Sequence, residues 1–286
     1  MLICKTPFRI SLFGGGTDFP GWYLKNKGMV ISYTIDKYCY VTLRKLPTFY
    51  TSKYRLRYFK NEFTDNIKEI VHPSIKAILA EYDKSNDKLE IIHSADIPGL
   101  SGLASSSAFT VSFLNLILNH NHKRKNNFEI GKLAINVEQN LLKESVGSQD
   151  QIACAIGGFN KIKFEGKKIN YKKINSNNII KKILSNSLIV FTGQQRKSKI
   201  IEKDKISKLK KNKIQMQYIY QTAIEAEKII NNDADKGYQE ICQLMKESWK
   251  LKKELSKFVT NPLIDDMHDY ALKNGATAGK LLGAGG

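Results

Sequence analysis

The stretch PGLSGLASSSA at residues 98–108 leads directly into the run FTVSFLNLIL at residues 109–118. Because that run is apolar on nearly every face, it predicts a buried central helix. Glycines followed by three serines leave unpaired backbone amides at the start of this helix, where the amides and the helix dipole together attract a phosphate group. A serine hydroxyl can also reach a magnesium ion held by that phosphate. The alternative is a helix N-cap with more serines than it needs.

Two other nucleotide-binding motifs are absent from the sequence. The Walker A pattern GxxxxGK[ST] does not occur, because the Gly-Lys pairs at positions 131, 166 and 279 are followed by Leu, Lys and Leu. A GxGxxG dinucleotide motif does not occur either. A phosphate-binding loop at residues 98–108 would therefore belong to a different class.

A second glycine-bearing segment lies near the start of the chain. Residues 5–20 read KTPFRISLFGGGTDFP, a predicted strand that runs into three glycines and then Asp18. Three consecutive glycines let a backbone pass close to a bound molecule, and Asp18 could accept hydrogen bonds from hydroxyl groups there. A glycine-rich turn with an aspartate as helix cap is the alternative.

Two carboxylates downstream of the serine-rich stretch suit phosphoryl transfer. Apolar residues at helical spacing over 130–141 mark the core face of a helix, and Glu138 lies at its edge, where a carboxylate is costly unless it meets a cation such as magnesium. Asp150 is predicted in the first turn of the next helix, where the dipole favours its ionised form. An ionised aspartate beside a sugar hydroxyl can accept the proton of that hydroxyl. A solvated Glu138 and an Asp150 that only complements the helix dipole are the alternatives.

The periodicity of the chain changes near residue 183, which predicts two domains, 1–183 and 184–286. Alternation predicts strands at 31–35, 39–43 and 89–95, a hairpin of 159–164 with 169–174, and a buried strand at 187–192. Helical spacing follows at 204–231, 237–257 and 262–273. The lysine run at 203–213 is interpreted as the solvated face of the first of these helices.

Composition excludes several classes of protein. The 46 Lys and Arg against 27 Asp and Glu give a net charge of +19, which could attract nucleic acid, anionic lipid or a phosphorylated small molecule, or could be spread over solvated faces. The four cysteines form no CxxC or Cys/His cluster, so neither a zinc site nor a disulfide framework is indicated. No apolar run approaches the roughly 18 residues of a membrane helix. No signal sequence opens the chain, and a cytoplasmic location is expected.

A third glycine-bearing segment closes the sequence. Residues 275–286 read GATAGKLLGAGG and follow the predicted helix at 262–273, which Gly275 would cap. A domain rarely ends on an apolar strand that runs into glycines. We therefore expect the sequence to be truncated.

The three segments, in this order and at this separation, resemble the GHMP kinase superfamily of galactokinase, homoserine kinase, mevalonate kinase and phosphomevalonate kinase. Within it, TPFRISLFGGGTDFP and DIPGLSGLASSSAF are most similar to bacterial D-glycero-D-manno-heptose 7-phosphate kinases, which phosphorylate an anomeric hydroxyl. The resemblance implies an α+β fold with a ribosomal-S5-domain-2-like N-terminal domain and a ferredoxin-like, helix-rich C-terminal domain. It also implies a further loop and a closing strand beyond Gly286.

The resemblance assigns roles to the residues that match the family's motifs. Its PxxxGLxSSxA loop, which surrounds the ATP phosphates, corresponds to Pro98, Gly99, Leu100, Ser101, Gly102, Leu103, Ala104, Ser105, Ser106 and Ser107. Many members have glycine where this chain has Ala104. The magnesium ligands would be Ser106 and Glu138, with Asp150 as the catalytic base and Arg9 beside it, holding the aspartate charged and opposing charge on the transferred phosphoryl group.

The sugar would meet the first segment, where the resemblance implies contacts from Gly15, Gly16, Thr17 and Asp18. A substrate that already carries a phosphate needs a cationic pocket as well. Arg196 and Lys197, in a loop after the predicted strand at 187–192, are candidates for it. An ordinary basic loop is the alternative.

The sequence thus predicts a kinase that uses ATP and Mg²⁺ to convert D-glycero-D-manno-heptose 7-phosphate to the 1,7-bisphosphate, for nucleotide-activated heptose synthesis in capsule or lipopolysaccharide formation. One alternative is a GHMP kinase for another sugar such as L-fucose. A second is a basic nucleic-acid-binding protein whose contact surface is the lysine-rich helix. The expected partner is a small-molecule sugar phosphate, with no nucleic acid and no membrane, and a homodimer is left open.

Overall fold

The computed structural model describes residues 1–194, 201, 204, 206–209 and 211–283. These residues form an α+β fold, as predicted, with one sheet and helices packed on it. The strands are β1 (Leu2–Phe13), β2 (Lys27–Lys45), β3 (Tyr54–Arg57), β4 (Asn61–Thr64), β5 (Leu89–Ala95), β6 (Phe159–Glu165) and β7 (Lys168–Lys173). The helices are α1 (Pro20–Tyr23), α2 (Pro73–Tyr82), α3 (Ser105–His120), α4 (Asn127–Asn136), α5 (Gln149–Ile156), α6 (Asn178–Ser185), α7 (Lys213–Asn232), α8 (Gly237–Glu254) and α9 (Pro262–Lys273).

The long strand β2 organises the sheet. The strand order is β4-β3-β5-β2-β6-β7, with β1 paired to β2 off this path, and all pairs are antiparallel except β3 with β5. The first part of β2 pairs with β6 and the last part with β5, so the strands predicted at 31–35 and 39–43 belong to one continuous strand. The predicted strand at 89–95 and the hairpin of 159–164 with 169–174 are confirmed as β5, β6 and β7.

The predicted central helix is confirmed as α3. Its side chains Phe113, Leu114 and Ile117 are fully buried, which explains why its sequence is apolar on nearly every face. Buried residues of α7 and α8, among them Ala223 and Ala226, join the same hydrophobic core as α3 and the sheet. The division of the chain at residue 183 therefore runs through a shared core, and it stays a prediction.

The buried strand predicted at 187–192 is wrong. These residues form no strand, and the side chains of Leu188 and Phe191 are 87% and 55% exposed. No strand lies beside them among the described residues, so their backbone groups have no ladder to join. Described residues after 183 form helices and loops, without a strand of a ferredoxin-like sheet among them.

The helices predicted at 237–257 and 262–273 are confirmed as α8 and α9. Of the helix predicted at 204–231, the part from Lys213 onward is confirmed as α7. Gly275 follows α9 with a positive φ of 98°, as a C-terminal glycine cap requires. Within the described ranges, no helix has the length and hydropathy that a membrane span needs.

Candidate active site

Arg9 of β1 joins two of the three glycine-bearing segments to Asp150. Its Nε and Nη2 atoms donate to Oδ1 of Asp150 at 2.9 and 2.6 Å, and Nη1 donates to the backbone oxygen of Gly102 at 3.0 Å. The residue is only 3% exposed. Burial disfavours the charge of Arg9, but Asp150 more than compensates, and the pKa of the guanidinium lies above its ordinary value. Arg9 is therefore a permanent cation beside the carboxylate.

Asp150 lies in the first turn of α5, as predicted. Its side chain is 27% exposed, in contrast to the buried arginine that holds it. The positive end of the helix and the guanidinium of Arg9 both lie beside this carboxylate. The geometry thus leaves a carboxylate oxygen that a bound molecule can reach, which a general base requires.

The loop before α3 has the backbone of an anion-binding site. Leu100, Gly102 and Ala104 have positive φ angles of 64°, 78° and 65°, and two of these three residues are not glycine. Ala104 occupies the N-cap position, and no side chain caps the helix. The serines therefore do not act as an N-cap, and the first amides of α3 are directed toward the loop, where they can bind a phosphate.

Glu138 is a buried carboxylate one element away from this loop. It lies in a π-helical turn, Val137–Leu141, that follows α4 directly, and such turns are frequent at functional sites. The residue is 1% exposed, its Oε2 accepts from Ser107 Oγ at 3.0 Å and Gln151 Nε2 at 2.5 Å, and burial raises its pKa to about 7. Its Oε1 has no partner among the described residues. A buried carboxylate with one oxygen left over fits a cation such as Mg²⁺.

The hydroxyl that faces Glu138 belongs to Ser107, whereas Ser106 is exposed at the start of α3. The structure thus brings the predicted ligand Glu138 to the loop but places the neighbouring serine against it. In the described part of the chain, no group of three or more His, Cys, Asp or Glu side chains could hold a metal by itself. A magnesium ion here would take most of its ligands from nucleotide phosphates and water, as is usual for this ion.

Asp18 closes the first segment onto the start of α5. It is 2% exposed, its Oδ1 accepts from Gly16 N at 2.9 Å, and its Oδ2 accepts from Gln149 N at 3.2 Å. Ser148 N also donates to the backbone oxygen of Asp18 at 2.9 Å. Burial and the nearby charge of Asp150 raise the pKa of Asp18. Each carboxylate oxygen of Asp18 thus accepts a hydrogen bond from a backbone amide. Binding of a sugar by Asp18 stays a prediction.

Thr17 has a similar position inside the loop. Its side chain is fully buried, and its hydroxyl bonds to the backbone oxygens of Gly14 and Met29 and accepts from Met29 N at 2.8, 3.1 and 3.1 Å. These bonds fasten the glycine turn to β2. A role of Thr17 in sugar binding likewise stays a prediction.

The third glycine-bearing segment meets the other two. Gly283 lies against Gly102 so closely that a Cβ on either residue would come within 2.7 Å of backbone atoms of the other segment. Lys280 Nζ donates to the backbone oxygens of Ser11 and Leu12 at 3.0 and 2.7 Å, at the end of β1. All three segments singled out in the sequence therefore lie around one site.

Some predicted residues are not in this cluster, and some contacts were not predicted. Pro98, Gly99 and Leu100 are exposed at the outer part of the loop, and Arg196 and Lys197 lie outside the described residues. No pattern in the sequence indicates Gln151, whose contact with Glu138 depends on how α5 packs against α4. The sequence analysis also missed Gly147, the small residue before Ser148 that lets Asp18 approach.

The chain is similar in sequence to known kinases. A family model described as GHMP kinases N terminal domain matches residues 69–158, which include the loop, Glu138 and Asp150. Over 98% of its length, the chain is 31% identical to D-glycero-alpha-D-manno-heptose 7-phosphate kinase of Campylobacter jejuni and covers 86% of that protein. It is 25% identical, over 99% of its length, to the bifunctional fucokinase/GDP-fucose pyrophosphorylase of Arabidopsis thaliana, of which it spans 29%.

A solved structure supports the same fold. A D-glycero-D-manno-heptose 1-phosphate kinase from Bacteroides thetaiotaomicron superposes with a TM-score of 0.78 at 24% identity, covering 99% of this chain and 86% of that one. The predicted α+β architecture of GHMP kinases is thereby confirmed, and ATP is the phosphoryl donor of such kinases. The chain belongs to the GHMP kinase family.

Proposed function

We propose that this GHMP sugar kinase transfers the γ-phosphoryl group of ATP to the anomeric hydroxyl of D-glycero-D-manno-heptose 7-phosphate, giving the 1,7-bisphosphate for nucleotide-activated heptose synthesis. The observation that carries the proposal is the position of Arg9, which binds Asp150 and the Gly102 carbonyl at once. It places the carboxylate next to the loop that suits the ATP phosphates. The choice of sugar is supported by the 31% identity to the C. jejuni heptose 7-phosphate kinase. An enzyme that consumes ATP and a free sugar phosphate would act in the cytoplasm.

The residues divide the reaction between them. The amides at the start of α3 would bind the phosphates of ATP, and Asp150 would accept the proton of the sugar hydroxyl as its oxygen attacks the γ-phosphorus. The bond between that phosphorus and the β-phosphate oxygen breaks, and ADP leaves. Arg9 would keep Asp150 ionised and oppose the negative charge on the phosphoryl group in transfer.

Mg²⁺ fits beside Glu138 and the serine hydroxyls of the loop. The unpartnered Oε1 of Glu138 supports this placement, and Ser107 is the loop serine that bonds to the same carboxylate. Ser106 stays a proposed ligand. The ion would neutralise charge on the nucleotide phosphates. A binding role for Arg196 and Lys197 toward the 7-phosphate stays part of the proposal, and an Arg196→Ala variant with an unchanged KM for heptose 7-phosphate would remove it.

The test is ADP release from Mg-ATP with heptose 7-phosphate, L-fucose, galactose or no sugar. We expect turnover with heptose 7-phosphate that Asp150→Asn lowers by about 10²–10⁴-fold. Asp266→Asn is the matched control, because Asp266 is exposed on α9, away from the site. Turnover without any sugar, or equal rates for the two aspartate variants, would contradict the proposal.

L-Fucose is the second candidate substrate, since the chain is also similar to the A. thaliana fucokinase/GDP-fucose pyrophosphorylase. A free sugar would need no pocket for a second phosphate. Preference for L-fucose over heptose 7-phosphate in the same assay would keep the kinase mechanism and replace the substrate.

A further inference from the structure

Two buried polar side chains approach Gly15, close in the fold to Arg9 and Asp150. Ser11 and Gln149 are 6% and 7% exposed. A methyl group at Gly15 would lie 3.4 Å from Ser11 Oγ and 3.7 Å from Gln149 Nε2, so both side chains reach the same point. Among the residues that the structure describes, neither Ser11 Oγ nor Gln149 Oε1 has a hydrogen-bond partner.

Without a ligand at Gly15, these unpartnered polar atoms lower the stability of the folded protein. A buried polar atom without a partner costs about 1–3 kcal/mol, and most such atoms in native proteins are paired. One of them here, Ser11 Oγ, lies at Gly15, and the other, Gln149 Oε1, belongs to the same side-chain amide as the Nε2 atom that lies there. A ligand group at this point that both donates and accepts hydrogen bonds would reach the serine hydroxyl and the amide together.

The point is formed by the same strand and the same helix that carry Arg9 and Asp150. Ser11 follows Arg9 by two residues on the same strand, which corresponds to about 6.6 Å. Gln149 directly precedes Asp150 at the start of α5. A molecule whose reacting hydroxyl contacts Asp150 would therefore bring a second ring substituent to Ser11 and Gln149.

We propose that Gln149 is a specificity-determining residue that hydrogen-bonds a second hydroxyl of the sugar acceptor, with Ser11 as the neighbouring contact; the inference rests on the proposed kinase function. A side-chain amide offers one donor group and one acceptor group, and a sugar hydroxyl both donates and accepts. An uncharged amide and a hydroxyl suit a neutral hydroxyl better than a phosphate or an ammonium group.

Asp18 acts in this arrangement through Gln149. Its Oδ2 accepts from the backbone amide of Gln149, and its Oδ1 holds Gly16, next to Gly15. The carboxylate thus fixes the backbone on both sides of the point where Ser11 and Gln149 meet. The side-chain amide of Gln149 makes the contact with the sugar hydroxyl, and Asp18 is a positioning residue for that contact.

The experiment compares Gln149→Ala with the wild type on the preferred sugar and on its monodeoxy analogues. We expect Gln149→Ala to lower kcat/KM for the sugar about tenfold, with the KM for ATP unchanged. The analogue that lacks the recognised hydroxyl should lose a similar factor with the wild type and no further factor with Gln149→Ala. Gln243→Ala on the exposed face of α8 is the matched control and should behave as the wild type.

A second variant fills the contact point without removing either side chain. Gly15 has no positive φ, and its added methyl would make ordinary contacts, so Gly15→Ala should fold and melt as the wild type does. It should raise the KM for the sugar and leave that for ATP unchanged. If Gln149→Ala does not fold, Gly15→Ala decides the question.

The outcomes separate this inference from the proposed function. Independent, multiplicative losses for Gln149→Ala and every deoxy analogue, or wild-type kinetics in Gln149→Ala and Gly15→Ala, would overturn the role of Gln149 and leave the kinase intact. A wild-type protein that phosphorylates no sugar would overturn both.

Discussion

Replacing Gly147 with alanine should destabilise the protein strongly. The added carbon would lie 1.9 Å from Oδ2 of Asp18, far inside van der Waals contact. Gly147 has no positive φ, so alanine suits its backbone, and the effect comes from this clash alone.

The magnitude follows from the surroundings of Asp18. This carboxylate is 2% exposed and cannot turn away without breaking its bond to Gln149 N. Loss of a hydrogen bond to a charged group costs about 1.5–3 kcal/mol, and overpacking of a closed site costs about 1–3 kcal/mol. We expect Gly147→Ala to lower the free energy of unfolding by about 3–5 kcal/mol.

Equilibrium urea denaturation, followed by circular dichroism, measures this change. Gly99→Ala is the stability control, because an added carbon there meets no atom within 4 Å, and it should change the free energy of unfolding by less than about 0.5 kcal/mol. In an Asp18→Ala background, the carboxylate that would clash with the added carbon is absent. Adding Gly147→Ala should then lower the free energy of unfolding by less than about 1 kcal/mol. Equal costs of Gly147→Ala in the two backgrounds would refute the reasoning.

Three further predictions concern other parts of the molecule. Burial raises the pKa of Glu138 to about 7 from 4.5, so the folded protein binds a proton in this window that the unfolded chain has lost. The free energy of unfolding should therefore fall as pH rises through it. Urea titrations at about pH 5 and 7.5 should show a smaller fall in Glu138→Gln than in the wild type, because Glu138 no longer contributes. Lys161→Met breaks a largely buried ion pair with Glu227 between β6 and α7 and should cost about 1–2 kcal/mol in urea, most of it recovered when Glu227 is replaced by leucine as well. Phe191→Ser should change the free energy of unfolding by less than about 0.5 kcal/mol in urea because Phe191 is exposed, whereas loss of a buried phenylalanine would cost about 3–5 kcal/mol.

Elements with strong local signals could be predicted from the sequence. Helix α9, predicted at 262–273, begins after Asn261, whose side chain caps it, and has Pro262 in its first turn, and both are local signals of a helix start. Strand β5 shows plain alternation. The segment 187–192 has an equally apolar sequence but no strand beside it among the described residues, and only tertiary structure decides whether such a run is paired.

In the candidate site, too, some features could be predicted from the sequence and others depended on tertiary structure. Glycines and serines before an apolar helix predicted a loop with uncapped backbone amides at the start of α3, because every helix start leaves such amides. Binding of a phosphate by this loop stays a proposal. Which serine contacts Glu138 depends on which face of the first turn of α3 packs against the π-helical turn. In the structure, this serine is Ser107 and not the neighbouring Ser106. The engagement of Asp18 with backbone amides depended on the approach of Gly147, which is distant in sequence.

The contact between Gly102 and Gly283 also constrains how this sequence can drift. A side chain at Gly102 would meet the Leu282 oxygen at 2.7 Å, and one at Gly283 would meet the Cα of Gly102 at 2.6 Å. Most packing defects can be repaired by a smaller residue across the contact, but here both partners are already the smallest. A smaller residue across the contact can therefore compensate for a side chain at neither position, and side chains at both positions would add a second clash with backbone. We expect both glycines to be retained, so the sequence requirement of the loop at residues 98–108 extends to the segment that ends at Gly283.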